Sequence, residues 1–296
     1  MASIQANGIS IEYDTFGASD RPAALMIMGL GAQMTLWPVE LCDALVARGF
    51  HVIRFDNRDI GLSTKFDQAG IPNMAAMAMA VMTGQKPEAA YSLDDMAADT
   101  IGLLDALGID HAHVVGASMG GMIAQTVAAK YPKRVLSLTS IMSTTGNPAI
   151  PPARPDAMAV LTNRPTTTDT DSLVAFLVNA ARVIGSPAYP ANEERLITRV
   201  RADLARSYSP TGYLRQMAAI IASGDRRAQL ASITAPTLVI HGDADPLVSV
   251  EGGRDTAANI KGAELRIIPG MGHDLPLPLV DTIADAIAGI ASHAQR

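Results

Sequence analysis

The sequence predicts an α/β fold: a mostly parallel sheet with flanking helices and an inserted helical lid. Three observations carry that expectation. Short apolar runs alternate with helical patterns over residues 23–145 and again from residue 234 onward. The stretch between them contains helical patterns and no convincing strand. Asn7-Gly8, the strongest short hairpin signal, separates two alternating runs at the start. Strand–helix alternation on both sides of a strand-free insertion implies parallel strands joined by helical crossovers. The organisation that follows is a core in two parts, 1–145 and 234–296, with a lid over 146–233.

Each element has a local reason. Ile4 to Ala6 and Ile9 to Tyr13 form the antiparallel pair, and Ala23 to Met28 is a continuous apolar run suited to a central strand. Trp37 to Arg48 repeats apolar residues at helical spacing and Gly49 ends it, after which His51 to Phe55 is the next strand. Met74 to Met82 is a methionine–alanine helix, and Ser92-Leu93-Asp94-Asp95 caps a helix that runs to about Leu107. Ala112 to Val115 reads as a buried strand, Met119 to Tyr131 as a helix and Val135 to Met142 as a strand. Prolines and threonines crowd Asn147 to Asp171, and helices are expected at Leu173 to Ile184, Glu193 to Ala205 and Thr211 to Ser223. Pro236 to His241 and Glu264 to Ile268 are strands, with helices near Val250 to Ile260 and Leu279 to His293.

Composition bounds the function. A chain of 296 residues, 48% hydrophobic and 18% charged, is globular and long enough to bury a sizeable core. A net charge of −6 with no basic block argues against nucleic acid and anionic membranes as partners. The N-terminus has neither a basic nor an apolar leader segment, and no apolar run is long enough to span a bilayer, so a cytoplasmic protein is expected. The single cysteine, Cys42, cannot form an internal disulfide and reads as packing. Oligomeric state is open, a homo-oligomer included. No metal-ligand pattern and no phosphate-cradling glycine loop is present, so neither metal nor cofactor is expected.

Gly116-Ala117-Ser118-Met119-Gly120 reads G-x-S-x-G between the expected strand and helix. At such a junction the serine occupies a strained turn, and the glycines prevent collisions with the neighbouring strand and the following helix. A serine hydroxyl is a poor nucleophile near neutral pH, so it needs an imidazole to take its proton and a carboxylate to orient that imidazole. His273 and Asp245 each follow a predicted strand, and loops at the carboxyl ends of parallel strands share one rim. The chain order Ser118, Asp245, His273 is the one a hydrolase of this topology requires. Asp243 competes for the acid role but lies nearer the strand and suits the turn; His241 suits a structural hydrogen bond. Asp274 is expected to face solvent or a loop amide, and His51, His111, His113 and His293 lack comparable context. The amides of Met119 and of Leu30, in the loop after the third strand, are the candidate oxyanion donors.

These motifs, with the Asp56-Asn57-Arg58 turn, resemble the α/β-hydrolase superfamily through 1–145 and 234–296; the part between matches only in helical character. The resemblance implies an eight-stranded sheet and serine esterase chemistry on a small-molecule ester. Met28-Gly29, the Asp-x-Arg turn and Trp37-Pro38 look closest to the aclacinomycin methylesterase group, which acts on a methyl ester of a bulky polyketide. Met28 replaces the wider pattern's His, and Arg58-Asp59 its Arg-Gly. An apolar acyl or alkyl ester, or a lactone, is the expected substrate, because no Arg or Lys cluster sits at a strand-end loop. Gly29, Trp37 (at the entrance), Met74 and Met77 are the expected pocket residues, with plain packing as the alternative for Trp37 and for the methionines. A serine at the elbow argues against the dehalogenase and epoxide hydrolase branches. A cofactor-free haloperoxidase or perhydrolase, or a ligand receptor with slight turnover, would keep the same three residues.

Overall fold

A computed structural model describes residues 1–163 and 165–294. Strands β1 (Ala2–Ala6) and β2 (Ile9–Phe16) pair antiparallel through a turn in which Asn7 and Gly8 both adopt positive φ, 49° and 76°. That is the left-handed geometry whose twist suits a two-residue hairpin. Next come β3 (Ala23–Ile27), α1 (Val39–Ala47), β4 (His51–Phe55), α2 (Met74–Met82), α3 (Leu93–Ala106), β5 (Ala112–Ala117), α4 (Met119–Lys130) and β6 (Val135–Ile141). Helices α5 (Pro155–Thr162), α6 (Thr170–Ile184), α7 (Glu193–Arg206), α8 (Pro210–Ser223) and α9 (Arg227–Leu230) follow, with no strand among the described residues between β6 and β7. The chain closes with β7 (Thr237–Gly242), α10 (Val250–Ala258), β8 (Glu264–Ile268) and α11 (Val280–His293). Among the described residues no helix is long and apolar enough to cross a membrane.

The eight strands form one sheet in the order β1-β2-β4-β3-β5-β6-β7-β8, antiparallel at β1–β2 and β2–β4 and parallel elsewhere. From β3 the connection through α1 runs one way to β4, while β5 lies on the other side. Their carboxyl ends therefore flank the point where strand order reverses, the usual crevice of open α/β sheets. All five residues of β3 are buried because both faces are covered. Leu25 and Ile27 point to a layer with Met96, Leu103, Ile123 and Val127 of α3 and α4. Ala24 and Met26 point to the opposite layer, with Leu41 and Leu45 of α1 and Ile283 and Ile287 of α11.

Two helices lie outside the expected set. The first turn of α5 carries Pro155, which pre-sets φ where no amide donor is needed, inside a stretch whose prolines and threonines suggested loop. The other, α9, is a four-residue turn too short to leave a periodic signature. Helix α3 starts where its capping signature places it: Ser92 Oγ accepts the Asp95 amide, and Asp95 Oδ2 accepts the Ser92 amide at 2.7 Å. Trp37, assigned to the first helix, precedes it as the C-terminal cap of a short 3₁₀ turn, Met34–Leu36. Cys42 is buried in α1, where burial pushes its thiol up to about 12 and leaves it unreactive near neutral pH.

His113 stands inside β5 with Nδ1 2.8 Å from Ser137 Oγ and its ring edge-on to Phe50, and burial pulls its pKa down to about 4. The unfolded chain binds a proton near pH 6.5 that the folded chain refuses. Stability is therefore full above that value and falls as pH drops from about 6.5 towards 4, by roughly 2–3 kcal/mol. Chemical denaturation of His113→Leu is expected to show that much less loss across this window than the parent.

Candidate active site

The β5–α4 junction is a strained turn. Ser118 adopts φ 56° and ψ −120°, a conformation that costs a non-glycine residue free energy and persists only where its surroundings over-determine it. Those surroundings are visible. The Ser118 amide donates to Ile141 O at 2.9 Å, and its carbonyl accepts the amides of Gly121 and Met122 and the Ser143 hydroxyl. A Cβ on Gly116 would lie 2.1 Å from Gly120 O, and one on Gly120 would lie 2.0 Å from Ile27 O. Both glycines are thus required by close backbone approach, one to the following helix and the other to β3. Ser118 itself remains partly exposed.

The loops after β7 and β8 bring two side chains to this serine. His273 Nε2 lies 2.9 Å from Ser118 Oγ, and His273 Nδ1 lies 2.7 Å from Asp245 Oδ2. With Nδ1 donating to the carboxylate, Nε2 faces the hydroxyl as an acceptor. The other carboxylate oxygen of Asp245 accepts the amides of Leu247 and Val248 at 2.8 and 2.9 Å. Burial alone would push this carboxyl up, but His273, the His241 ring and the Val248 amide outweigh it. Asp245 is held well below the usual carboxylate range. The arrangement can take a proton from Ser118 and hold it on an imidazole stabilised by a fixed anion.

The neighbours sort themselves by contact. Asp243 accepts the Gly270 amide at 2.6 Å, so it binds the two strand-end loops together. His241 places Nε2 2.9 Å from Val248 O and 3.5 Å from Asp245 Oδ2, behind the carboxylate. Asp274 is half-buried and meets the expected loop amide, that of Ser186. It accepts the hydroxyl of Ser186 just beyond α6, and Ser186 Oγ also accepts the Gly272 amide at 2.8 Å. The His273 amide donates to Ile184 O at 2.7 Å. The histidine loop is therefore fastened to the helical insertion.

The loop after β3 is fastened in the same way. A Cβ on Gly29 would sit 3.1 Å from Ser118 Cβ and 3.6 Å from its Oγ, so this glycine abuts the serine. Met119 opens α4, where the first amides have no partner within the helix, and among the described residues neither its N–H nor that of Leu30 meets an acceptor. The Asp56–Asp59 turn supports the loop from beneath. Asp56 Oδ1 accepts the Met34 amide at 2.8 Å, and Asn57 Nδ2 donates to Met28 O at 2.8 Å. Asp59, where the wider pattern has glycine, has φ 74°. Its carboxylate compensates by accepting from Arg215 at 2.7 and 2.8 Å, from Tyr91 Oη at 2.7 Å and from the Phe66 amide at 2.8 Å. From the insertion, Arg206 pairs with Asp56 at 2.7 Å, and Gln33 Nε2 donates to the carbonyls of Asp203 and Ser207.

Trp37 requires a correction. Expected at the entrance, it is 0% exposed and packs with Met26, Leu41 and Cys42 in the α1–α11 layer, while its carbonyl accepts Arg54. Lying just before a helix, it had no periodicity to reveal which way it faced. Met77 is buried on α2, which packs on α8, and Met74 is half-buried; Met79 and Met82 face outward. Residues that meet the Gly29–Gly31 loop come instead from α8, where Tyr213 lies against Gly31. Sequence reading missed Ser143, Ser186, Arg206, Arg215 and Gln216, since none belongs to a motif with local spacing.

Residues 22–278 match the family model described as alpha/beta hydrolase fold. The chain belongs to the α/β-hydrolase family. Rhodomycin D methylesterase DauP of Streptomyces sp. (strain C5) is 31% identical over 284 residues, covering 89% of this chain and 88% of that one. The 3-oxoadipate enol-lactonase 2 of Acinetobacter baylyi is 27% identical, with coverages of 90% and 87%. Among solved structures, the enol-lactonase from Burkholderia xenovorans LB400 superposes with a TM-score of 0.73 at 20% identity over 98% of this chain and 100% of that one, a likeness of fold. The methylesterase resemblance read from Met28-Gly29 and the Asp-x-Arg turn is in accord with the first of these relatives. This α/β-hydrolase elbow tolerates no added carbon at Gly120. Gly120→Ala is expected to destabilise the fold by about 3 kcal/mol or more through overpacking against backbone. Gly289→Ala, on α11 with open space at its Cβ, should be neutral or slightly stabilising in the same urea titration.

Proposed function

We propose that this α/β-hydrolase cleaves carboxylic esters through an acyl-enzyme on Ser118. The observation that carries the reading is the unbroken line Ser118 Oγ, His273 Nε2, His273 Nδ1, Asp245 Oδ2, at 2.9 and 2.7 Å, beside two amides without acceptors. In the proposed reaction Ser118 Oγ attacks the ester carbonyl as His273 Nε2 takes its proton. The tetrahedral oxyanion is held by the amides of Leu30 and Met119, each contributing roughly 3 kcal/mol when well aimed. The C–O bond to the alkoxide breaks as Nε2 returns the proton to the leaving oxygen. Water then attacks the acyl carbon by the same route, releasing the acid and restoring Ser118.

The names of the relatives guide the substrate class. Both rhodomycin D methylesterases, 31% and 30% identical, support a methyl or other small alkyl ester as the substrate class. The enol-lactonase relative makes a lactone, an ester closed on itself, the natural second member of a substrate panel. In this reading the insertion, 146–233, is the lid that bounds the substrate, and Gly29 lines the floor beside Ser118.

Ser118→Ala is expected to abolish labelling by diethyl p-nitrophenyl phosphate and turnover of p-nitrophenyl esters; full activity in that variant would sink the mechanism. Asp245→Asn, which leaves the imidazole in the wrong tautomer, should lower kcat by on the order of 10³–10⁴ with KM little changed. Because the Asp245 pKa is depressed in the fold, its stabilising contribution is complete above about pH 4 and disappears only as pH falls further. Protonation of Asp245 should therefore not set the acid limb of a rate profile measured down to about pH 4, with folding monitored in parallel by circular dichroism.

A further inference from the structure

Gln216 is 0% exposed on α8, and its side chain spans two backbone segments that belong to neither its own helix nor each other. Its Oε1 accepts the Gly31 amide at 2.8 Å, and its Nε2 donates to the Arg58 carbonyl at 2.8 Å. Neither bond contributes to α8 itself. Both act on the loop after β3 and on the turn beneath it.

The geometry of that loop gives the contact its meaning. Leu30 sits between Gly29, packed against Ser118, and Gly31, which adopts φ 69° with the Tyr213 ring occupying its Cβ position at 2.4 Å. The Gly31 amide belongs to the peptide plane that follows Leu30, so holding it fixes one side of Leu30 as the serine fixes the other. Within the loop itself the remaining backbone bond is Ala32 N to Gly29 O, at a long 3.3 Å. A glutamine is the residue type this bridge needs. It offers one acceptor and one donor without charge, whereas a carboxylate would face the Arg58 carbonyl and a cation could not accept from Gly31. The charged groups around it are occupied with one another, Arg215 with Asp59 and Arg58 with Asp99.

We propose that Gln216 is the positioning residue of the oxyanion hole: by bridging Gly31 N–H and Arg58 C=O from the helical insertion, it sets the aim of the Leu30 amide at Ser118. This rests on the ester-hydrolase reading above. It gives the insertion a share in transition-state stabilisation in addition to substrate shape, and the group positioned is one that acts only when the oxyanion forms.

The test compares the parent with Gln216→Met, which keeps volume and removes both bonds, and with Gln216→Glu, which keeps an acceptor for Gly31. Substrates are p-nitrophenyl butyrate and diethyl p-nitrophenyl phosphate, with thermal unfolding recorded for each protein. A lost oxyanion donor costs on the order of 10²-fold in kcat. Gln216→Met should lose about that much with KM within threefold, and its phosphylation rate should fall in parallel. Gln216→Glu should recover part of both, and it carries the test alone, as a smaller kcat loss at constant KM, where the methionine variant does not fold. A folded Gln216→Met with kcat within twofold of the parent, or a loss confined to KM or to melting temperature, overturns the proposal while leaving Ser118 chemistry intact. A parent protein that shows no Ser118-dependent labelling or turnover overturns this inference together with the reading beneath it.

Discussion

The constraint on which the rest depends is the positive φ of Ser118 between two glycines that admit no side chain. Residues rarely occupy that region unless several contacts enforce it. Here the Ile141 carbonyl, the first turn of α4, the Ser143 hydroxyl and the backbone of β3 all do so. The reward is directional. The same turn lifts the hydroxyl off the sheet, begins a helix whose opening amide, that of Met119, meets no acceptor among the described residues, and brings Gly29 against the serine. A relaxed turn would satisfy the backbone at less cost and would lose all three consequences together.

A second consequence concerns the helical insertion, which behaves structurally as part of the site's frame. It reaches the histidine loop through Ile184 and Ser186, and the loop after β3 through Asp203, Ser207 and Gln216. It reaches the turn below through Arg206 and Arg215. Two of these are ion pairs, Arg215–Asp59 fully buried and Arg206–Asp56 nearly so, and removing one partner of a buried pair costs about 3–5 kcal/mol because the other charge is left stranded. Attachments of that strength hold loops to a defined geometry. They suit a fold in which the loops carrying Ser118, His273 and Gly29–Gly31 come from separate strand ends and share no local secondary structure.

Much of this was legible beforehand, and particular residues show why. The hairpin at Asn7-Gly8, the capped start of α3 and the buried run of β3 are set by short-range rules: turn sterics, capping and period. Ser118 was legible because its strain demands glycines at fixed offsets. Asp245 and His273 were legible because parallel topology puts strand-end loops on one rim. Trp37 was misplaced because a residue just outside a helix carries no periodic information. Asp59 looked like a mere departure from glycine; its φ of 74° and the Arg215 that neutralises it make it a substituted solution to the same backbone problem.

The sequence by itself determined the strand–helix alternation, the elbow at Ser118 and the placing of Asp245 and His273 just beyond strand ends, since each follows from sterics or spacing within a few residues. Tertiary structure alone decided that Asp274 grips Ser186, that Trp37 turns inward, and that Gln216 of α8 bonds to the loop beside the serine. Those contacts join residues up to 185 positions apart, as between Gly31 and Gln216. Hydrogen bonds at that separation depend on how packed layers meet in space, and packing leaves no periodic trace in the chain.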